Sequence, residues 1–370
     1  MTDFNITPVE ELIDEIRRGG RILILDDRDD TRNEGVVMVA AEHCTAEHVT
    51  FMARQARGLV CLGLTAERCL QLNLPPMVDR DDSESPRFTL SIEAAQGIDT
   101  GISAADRALT VQVAVATHAK PADIVQPGHI FPLAAEAGGV LTRAGHTEAA
   151  VDYARIAGLT PAGVIADVLD ENGELADGPA LARFVEQHGI KVGTVADLIH
   201  YRIANERTVE RIREGSLQTA YGEFQLVAYR DTTAGDIHIA LSLGEIDADQ
   251  PTLARVHAST TLRDIAADAS AGASSWSAHK SLEAIAEEGR GVLVILGRSE
   301  STEQLLSSLD AALNPSETSD APPVESYNTV GVGSQILRDL GVGKIRVMGA
   351  PIKYNAISGF GLEVTDFLTP

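Results

Sequence analysis

The pattern that most restricts the fold of this chain is the alternation of short apolar stretches with amphipathic ones through residues 1–204. Residues 9–18 place apolar side chains on one helical face, and residues 21–25 then read RILIL, which is typical of a buried strand. The alternation returns at residues 163–168, a predicted strand, and residues 178–188, a predicted helix. Strands and helices that alternate along a chain predict a mixed α/β fold.

The pattern restarts near residues 205–215, which predicts a second domain. Residues 221–229 and 237–243 are stretches of the kind that form an antiparallel strand pair. The chain has 370 residues, whereas single hydrophobic cores rarely grow beyond roughly 250–300 residues. We therefore predict an α/β domain over residues 1–204 and an α+β domain over residues 209–370.

The charge of the chain argues against two classes of partner. Asp and Glu number 54 against 30 Lys and Arg, which gives a formal net charge of −24. So acidic a protein repels nucleic acid and anionic membranes, and we expect neither as a partner. A small phosphorylated metabolite stays compatible, because a few arginines can outweigh the global field locally. No run of about 18 apolar residues occurs, which predicts the absence of a membrane-spanning helix.

The three cysteines predict a reducing environment. Cys44, Cys61 and Cys69 lack the spacing of a zinc motif, and free thiols in a long chain fit the cytoplasm. The first twenty residues contain no apolar run of signal-peptide type. A cytoplasmic location is the prediction.

Residues 127–149 contain the densest group of candidate functional side chains. Arg143, Gly145 and Thr147 supply a guanidinium, a close backbone approach and a hydroxyl, which suit a phosphate. His129 and His146 suit a divalent metal or proton transfer. The alternative is a glycine-rich turn with solvated charges.

An acidic stretch follows the first predicted strand. Residues 26–35 read DDRDDTRNEG, and acidic residues at the end of a strand commonly hold a metal or a substrate hydroxyl. A solvated loop is an equally compatible interpretation. Elsewhere, residues 57–61 predict a strand that carries Cys61 near its end. Residues 100–107 predict a turn into a helix with Ser103 as its cap, and such a turn can bind an anion.

Several of these stretches resemble the 3,4-dihydroxy-2-butanone 4-phosphate synthase family of riboflavin biosynthesis, over about residues 7–203. The segments PGHIFPL (127–133) and RAGHTEA (143–149) carry the resemblance most specifically. It implies a single α/β domain that forms a homodimer with active sites at the interface. It also implies that ribulose 5-phosphate, a sugar phosphate, is converted into formate and 3,4-dihydroxy-2-butanone 4-phosphate, with magnesium or manganese as the cofactor.

The resemblance also implies roles for individual residues. His129 would be an acid or base donated across the dimer interface, and His146 a metal ligand. The implied catalytic residues are His129, Asp167, Cys61, Asp27 and Glu34. The implied substrate contacts are Arg143, Ala144, Gly145, His146, Thr147, Thr100, Asp26 and Arg32. The implied metal ligands are His146 and Asp30.

The acidic stretch departs from the family pattern by one extra residue. If Asn33-Glu34-Gly35 is the anchor, Arg32 falls where the family has a metal-ligating Glu, and a guanidinium cannot ligate magnesium. The extra residue can instead bring Asp30 to the ligand position. Asp167 stands where the family has a catalytic Glu, which is one methylene longer.

The second half, over roughly residues 209–366, resembles GTP cyclohydrolase II, mainly through GSQILRDLGVGKIR (333–346). That family binds zinc through three cysteines, but residues 258–280 contain none, and Thr260 falls about where the first is expected. This departure predicts a degenerate domain without zinc and without GTP cyclohydrolase II activity, which dimerises or supports the first domain.

Three hypotheses follow. The first is a synthase, or a divergent relative, that acts on a pentulose phosphate with the first domain. The second is a non-catalytic protein of the riboflavin pathway that binds a phosphorylated ligand or regulates, favoured by Arg32 and the missing zinc cysteines. The third is another reaction on a related sugar phosphate, in which Arg32 replaces the metal.

Overall fold

The computed structural model describes residues 4–26, 34–78, 86–233, 235–265, 276–297, 305–306, 309–310, 313, 327–349 and 362–369. The chain divides into two compact units, Met1–Tyr201 and Arg202–Pro370. No helix in these described ranges combines the length and the apolar character that a membrane span requires.

The first unit is built around a seven-stranded mixed sheet with the strand order β4-β5-β3-β6-β2-β1-β7. Its strands are β1 Ile22–Asp26, β2 Glu34–Ala40, β3 Cys61–Thr65, β4 Ile92–Ala94, β5 Ile124–Ala135, β6 Ala162–Asp167 and β7 Lys191–Thr194. The helices are α1 Val9–Arg17, α2 Ala46–Phe51, α3 Ala66–Gln71, α4 Ala104–Val115, α5 His146–Ile156, α6 Gly178–His188 and α7 Val195–Asn205. The mixed α/β class predicted from the alternating pattern is confirmed.

The core of this unit explains why its central strands are continuous apolar runs. Every residue of β2 from Gly35 to Ala40 is buried, and so are residues 22–25 of β1. Strands that are covered on both faces have no polar positions to alternate with. Helix α5 lies against β3 and β6 at a point where Gly63 and Gly163 are paired across the two strands. A Cβ on Gly163 would come within 2.8 Å of the Ala150 Cβ, so glycine permits this close approach.

The predicted strand over residues 57–61 is wrong for its first four residues. Arg57 has a left-handed backbone conformation with φ of 70° and closes a turn, and β3 begins only at Cys61. Helix α5 begins at His146, directly after Gly145. The helix capped by Ser103 is confirmed, since Ser103 Oγ accepts the Asp106 N–H at 3.0 Å.

The second unit contains another seven-stranded mixed sheet, with the order β14-β13-β11-β12-β10-β9-β8. Its strands are β8 Val209–Thr219, β9 Gly222–Asp231, β10 Ile237–Leu243, β11 Pro251–Ala258, β12 Gly291–Leu296, β13 Lys344–Met348 and β14 Glu363–Leu368. Its longer helices are α8 Ala278–Glu288 and α9 Tyr327–Asp339. The predicted antiparallel pair is β9 with β10, in register from Ile237–Arg230 to Ser242–Gln225.

Candidate functional site

One edge of the first sheet gathers polar side chains from four neighbouring strands. Asp26 ends β1 and is paired with Glu34, which begins β2. Asp167 ends β6 opposite Val36 of β2. Cys61 begins β3, opposite Ile165 of β6. Because these strand ends lie at the same edge, residues distant in sequence come to line one cleft.

The cleft has a volume of about 260 Å³ and is closed on its other side by the start of α5. Its lining residues are Asp26, Glu34, Val36, Leu59, Cys61, Pro86, Phe88, Leu133, Arg143, Gly145, His146, Thr147, Glu148, Ile165, Ala166 and Asp167. Gly145 is the N-cap of α5, and His146 is its first residue. The free N–H groups and positive dipole end of a helix start favour an anion, and Arg143 adds a full positive charge beside them.

The structure therefore brings together most of the residues that the sequence predicted. The predicted residues that line the cleft are Asp26, Glu34, Cys61, Arg143, Gly145, His146, Thr147 and Asp167. Ala144 lies within the same segment but does not line the cleft. Asp27, Asp30 and Arg32 lie outside the described residues, so the predicted change of metal ligand in their stretch stays a prediction.

Cys61 lines the cleft as a neutral thiol. Burial, reinforced by the nearby Asp167 carboxylate, raises the pKa of the Cys61 thiol to about 12. The thiolate is the nucleophilic form of cysteine and is therefore scarce near neutral pH. Cys61 contributes shape and polarisability to the wall of the cleft.

Glu148, which the sequence analysis did not single out, lies beneath the arginine of the cleft. Its side chain is fully buried, and Oε1 accepts the Glu136 N–H at 3.0 Å and lies 3.5 Å from Arg143 Nη1. Burial raises the pKa of the Glu148 carboxyl, although the Glu136 N–H and the Arg143 charge oppose this shift. The only sequence signal was its position as the third residue of a helix that follows a glycine.

His129 and Thr100 do not line this cleft. His129 lies on β5, with its side chain 44% exposed and its Nδ1 hydrogen-bonded to Glu93 Oε1 on β4. Gly101, the neighbour of Thr100, has φ of 80°, and a Cβ there would overlap the Glu93 carboxyl. Glu93 thus ties His129 and the turn at residues 100–101 into one cluster. No sequence signal pairs Glu93 with His129, because the two residues lie 36 positions apart.

Exposed apolar side chains lie on the segments around this second cluster. They are Met77, Val78, Leu90, Ile102 and Val125, between 38% and 57% exposed. Their segments adjoin one another, since Pro76 pairs with Thr89 and Val125 pairs with Glu93. Adjacent exposed apolar side chains of this kind are typical of a surface that contacts another protein.

A buried polar network occupies the second unit around His257 of β11. Arg255 Nε donates to His257 Nδ1 at 3.1 Å, so the proton of the neutral ring is on Nε2, which donates to Asp264 Oδ1 at 2.8 Å. Asp264 Oδ1 also accepts the Ala278 N–H, and Oδ2 accepts the Thr260 N–H at 2.9 Å. A single carboxylate therefore joins the end of β11 to the start of α8.

Known proteins match both units. The family model for 3,4-dihydroxy-2-butanone 4-phosphate synthase matches residues 10–201, and the model for GTP cyclohydrolase II matches residues 210–369. A 3,4-dihydroxy-2-butanone 4-phosphate synthase of Pseudomonas aeruginosa is 50% identical over 98% of this chain and 99% of its own length.

Two solved structures are informative. A two-domain 3,4-dihydroxy-2-butanone 4-phosphate synthase from A. baumannii, RibBX, is 46% identical with a TM-score of 0.80, over 98% of this chain and 99% of that one. A 3,4-dihydroxy-2-butanone 4-phosphate synthase in complex with two magnesium ions is 36% identical with a TM-score of 0.52, over 54% of this chain and 98% of that one.

The α/β fold, the phosphate-type helix start and the carboxylate-lined cleft define the class of lyases that act on sugar phosphates. Within this class, the chain belongs to the 3,4-dihydroxy-2-butanone 4-phosphate synthase family of riboflavin biosynthesis. Its second unit is a GTP cyclohydrolase II-like domain.

Proposed function

We propose that the N-terminal domain converts ribulose 5-phosphate into formate and 3,4-dihydroxy-2-butanone 4-phosphate. The observation that supports this most is the composition of one cleft. Anion-binding groups at the start of α5 line the same cavity as the carboxylates of Glu34 and Asp167. A phosphorylated carbon acid needs both, since its phosphate must be held while protons move at the carbons next to its carbonyl.

Phosphate binding falls to the residues around the start of α5. Arg143 supplies a planar guanidinium, and the first turn of α5 supplies backbone N–H groups. Thr147 is buried and lines the cleft, so its hydroxyl is placed as a further donor. Together these groups fix one end of the substrate and leave its carbonyl end towards the strand edge.

Proton transfer falls to the carboxylates at the strand edge and to His129. Asp167 and Glu34 lie on adjacent strands, β6 and β2, and reach the cleft from the same side. Carboxylates and imidazole can remove and return the protons that the rearrangement moves. Asp26 and Cys61 complete the wall beside them.

The donor set of the cleft fits magnesium, or manganese in its place. Carboxylate oxygens together with one imidazole suit a hard divalent cation. His146 and Asp30 would hold the ion. Asp30 belongs to the stretch between Asp26 and Glu34, and those two residues line the cleft together with His146. When bound, the cation supplies positive charge that stabilises an enediolate.

We propose a homodimer through the N-terminal domain, in which His129 of one copy completes the cleft of the other. His129 is hydrogen-bonded to Glu93, which lies against Gly101, the neighbour of Thr100, but neither His129 nor Thr100 lines the cleft of its own chain. The exposed apolar side chains around this cluster form a surface whose burial against a second copy of the chain is favourable. The predicted role of His129 across an interface accounts for both observations.

We propose that the C-terminal domain binds no zinc and lacks GTP cyclohydrolase II activity. The three cysteines of the whole chain are Cys44, Cys61 and Cys69, so the domain cannot supply the three thiolates that its family uses. Thr260 is instead bonded through its N–H to Asp264. His257 and Trp276 are buried and hydrogen-bonded within this domain, His257 to Asp264 and Trp276 Nε1 to the Leu368 carbonyl, which supports a structural role for both.

Replacing Asp264 by alanine tests this account of the second domain. We expect a loss of about 3 kcal/mol in its free energy of unfolding, because the N–H groups of His257, Thr260 and Ala278 lose their shared acceptor and each unsatisfied buried donor costs about 1–3 kcal/mol. The single tryptophan, Trp276, is 6% exposed in this core, so its fluorescence in a urea titration reports the unfolding of this domain.

Asp249→Ala is the matched control, since Asp249 is exposed. A zinc chelator is expected to leave the urea midpoint of the wild-type chain unchanged. A midpoint that falls with chelator, or an Asp264→Ala variant as stable as Asp249→Ala, would contradict the metal-free network.

The buried thiols fit a reducing compartment, and we propose that the protein works in the cytoplasm. Cys44, Cys61 and Cys69 are all free and buried. Burial raises the pKa of the Cys44 thiol to about 12 and that of Cys69 to about 11, so both remain protonated.

Substrate and metal binding can be tested by the melting temperature of the full chain. We expect ribulose 5-phosphate to raise it, and magnesium to raise it further, because each ligand binds the folded state preferentially. At a ligand concentration of 100 times Kd, the free energy of unfolding increases by about 2.7 kcal/mol.

Turnover is measured by an assay of the formate released from ribulose 5-phosphate, with GTP as the substrate in a parallel assay. Stabilisation by substrate without turnover would favour a non-catalytic binding protein, and metal-independent turnover abolished by Arg32→Glu would favour another reaction.

A further inference from the structure

Helix α5 presents two buried carboxyl groups on successive turns, and both hold the segment of residues 136–145. Glu148 Oε1 accepts the Glu136 N–H at 3.0 Å, and Asp152 Oδ2 accepts the Val140 N–H at 2.8 Å. Glu148 is fully buried, and Asp152 is 3% exposed. The segment that carries Arg143 is therefore anchored to α5 at two points.

The carboxyl groups of Asp152 and Glu148 differ in their other contacts. Asp152 Oδ1 lies 3.4 Å from Arg155 Nη2, and Asp152 does not line the cleft. Glu148 lines the cleft and contacts Arg143, with Oε1 at 3.5 Å from Nη1. Its Oε2 is buried and accepts no hydrogen bond within the described part of the chain. Of these two carboxyl groups, Glu148 is thus the one that contacts the phosphate-type site.

Gly145 allows this carboxylate to lie directly behind the cleft. A Cβ at residue 145 would come within 2.6 Å of Glu148 Oε2. The third residue of a helix is often a glutamate that bonds the N-cap N–H. Glu148 instead accepts the N–H of Glu136 and contacts Arg143, so its position is not explained by helix capping alone.

A carboxylate in this position constrains the arginine. A guanidinium is planar with five donors in fixed directions, so a carboxylate beside Nη1 narrows the range of orientations that its other donors can take. A buried carboxylate without a compensating charge is costly, so Glu148 and Arg143 stabilise each other. Arg143 is 18% exposed and lines the cleft, with the Glu148 carboxylate on its buried side.

We propose that Glu148 is a positioning residue that orients Arg143 for the phosphate group of the ligand. This inference rests on the proposed function, because it assumes that the cleft binds a sugar phosphate. Glu148 does not touch the substrate. It acts through Arg143, and its removal weakens ligand binding more than it slows the chemical steps.

Glu148→Gln in the full chain tests the proposal, since glutamine keeps the volume and an acceptor for the Glu136 N–H but removes the charge. We expect KM for ribulose 5-phosphate to rise roughly 10-fold, with kcat changed by no more than about 2-fold. The Kd of inorganic phosphate, measured by calorimetry without added metal, is expected to rise by a similar factor. Glu148→Asp, which retains the charge, is expected to have a smaller effect.

Asp152→Asn is the matched control, because it alters the other anchor of the same segment without reaching the cleft. We expect it to leave KM and the phosphate Kd within about 2-fold of wild type. In an Arg143→Ala background, Glu148→Gln is expected to change the phosphate Kd by less than about 2-fold, since its effect passes through that arginine.

Four results would overturn the proposal: an unchanged phosphate Kd in Glu148→Gln, a decreased Kd, equal effects of Glu148→Gln and Asp152→Asn, or a full effect retained in the Arg143→Ala background. A decreased Kd would mean that Glu148 competes with phosphate for Arg143. A wild-type chain that binds phosphate but forms no formate would refute the proposed reaction and leave this test intact. A wild-type chain that binds no phosphate would refute both.

Discussion

Replacement of His146 by alanine is expected to reduce kcat/KM for ribulose 5-phosphate by roughly 1000-fold, equivalent to about 4 kcal/mol of transition-state stabilisation. His146 is the first residue of α5 and lines the cleft beside Arg143 and the carboxylate Glu34. The variant loses the imidazole that we assign to the cation and retains the guanidinium that we assign to phosphate. Initial rates of formate release over a range of magnesium concentrations measure the loss.

His118→Ala is the matched control, since His118 is exposed and outside the cleft. We expect it to retain wild-type activity and wild-type dependence on magnesium. We also expect His146→Ala to bind inorganic phosphate within about 3-fold of wild type in the absence of metal. Full activity in His146→Ala would remove the basis for assigning the cation to this residue.

The second large effect is expected at His129. Its replacement by alanine removes the group that we place in the site of a second copy, and loss of a general acid or base lowers rates by about 100- to 10,000-fold. The variants His129→Ala and His146→Ala are each expected to be inactive alone. Mixed after partial unfolding and joint refolding, they are expected to recover about a quarter of wild-type activity, because half of the dimers are mixed and each has one intact site.

This recovery separates a shared site from two independent ones. If His129 acted within its own chain, no mixture would contain an intact site, and activity would stay at the level of the separate variants. A mixture of His129→Ala with Glu93→Gln is the control, because both changes fall on the same cluster and no site regains both groups. Recovery in that control as well would contradict the pairing of Glu93 with His129.

The helices of the first unit were predictable where periodicity extended over several turns. The predicted bounds of α6 coincide with those observed, and the predicted end of α1 differs by one residue. The error at residues 57–60 has a physical cause, since apolar Leu59 and Val60 suggested a strand but Arg57 adopts a left-handed turn. Local composition does not reveal which residue of an apolar stretch first joins a sheet.

The candidate site was predictable where its residues are close in sequence or lie at strand ends. Arg143, Gly145, His146 and Thr147 form one helix start, so sequence proximity is spatial proximity. Long-range pairs were not predictable: Glu93 meets His129 only because β4 and β5 are neighbours. The role of Glu148 depends on the path of residues 136–145 over α5, which no spacing in the sequence specifies.

The second domain has the fold of its family without the three cysteines that we expect to bind zinc there. Leu241, Leu253, Leu293 and Ile285 still form an apolar core beside Trp276. The carboxylate of Asp264 joins the end of β11 to the start of α8. Because packing and backbone pairing maintain the sheet, absence of the three cysteines does not require a different fold.

We expect this chain to form 3,4-dihydroxy-2-butanone 4-phosphate from ribulose 5-phosphate in the cleft at the start of α5. Proton NMR of the full chain with this substrate follows both products at once, as the formate singlet and the methyl singlet of the butanone. We predict that both grow at equal molar rates with magnesium present, and that neither grows with a chelator or with His146→Ala. Substrate consumed without formate, or equal growth of both signals in His146→Ala, would contradict this account.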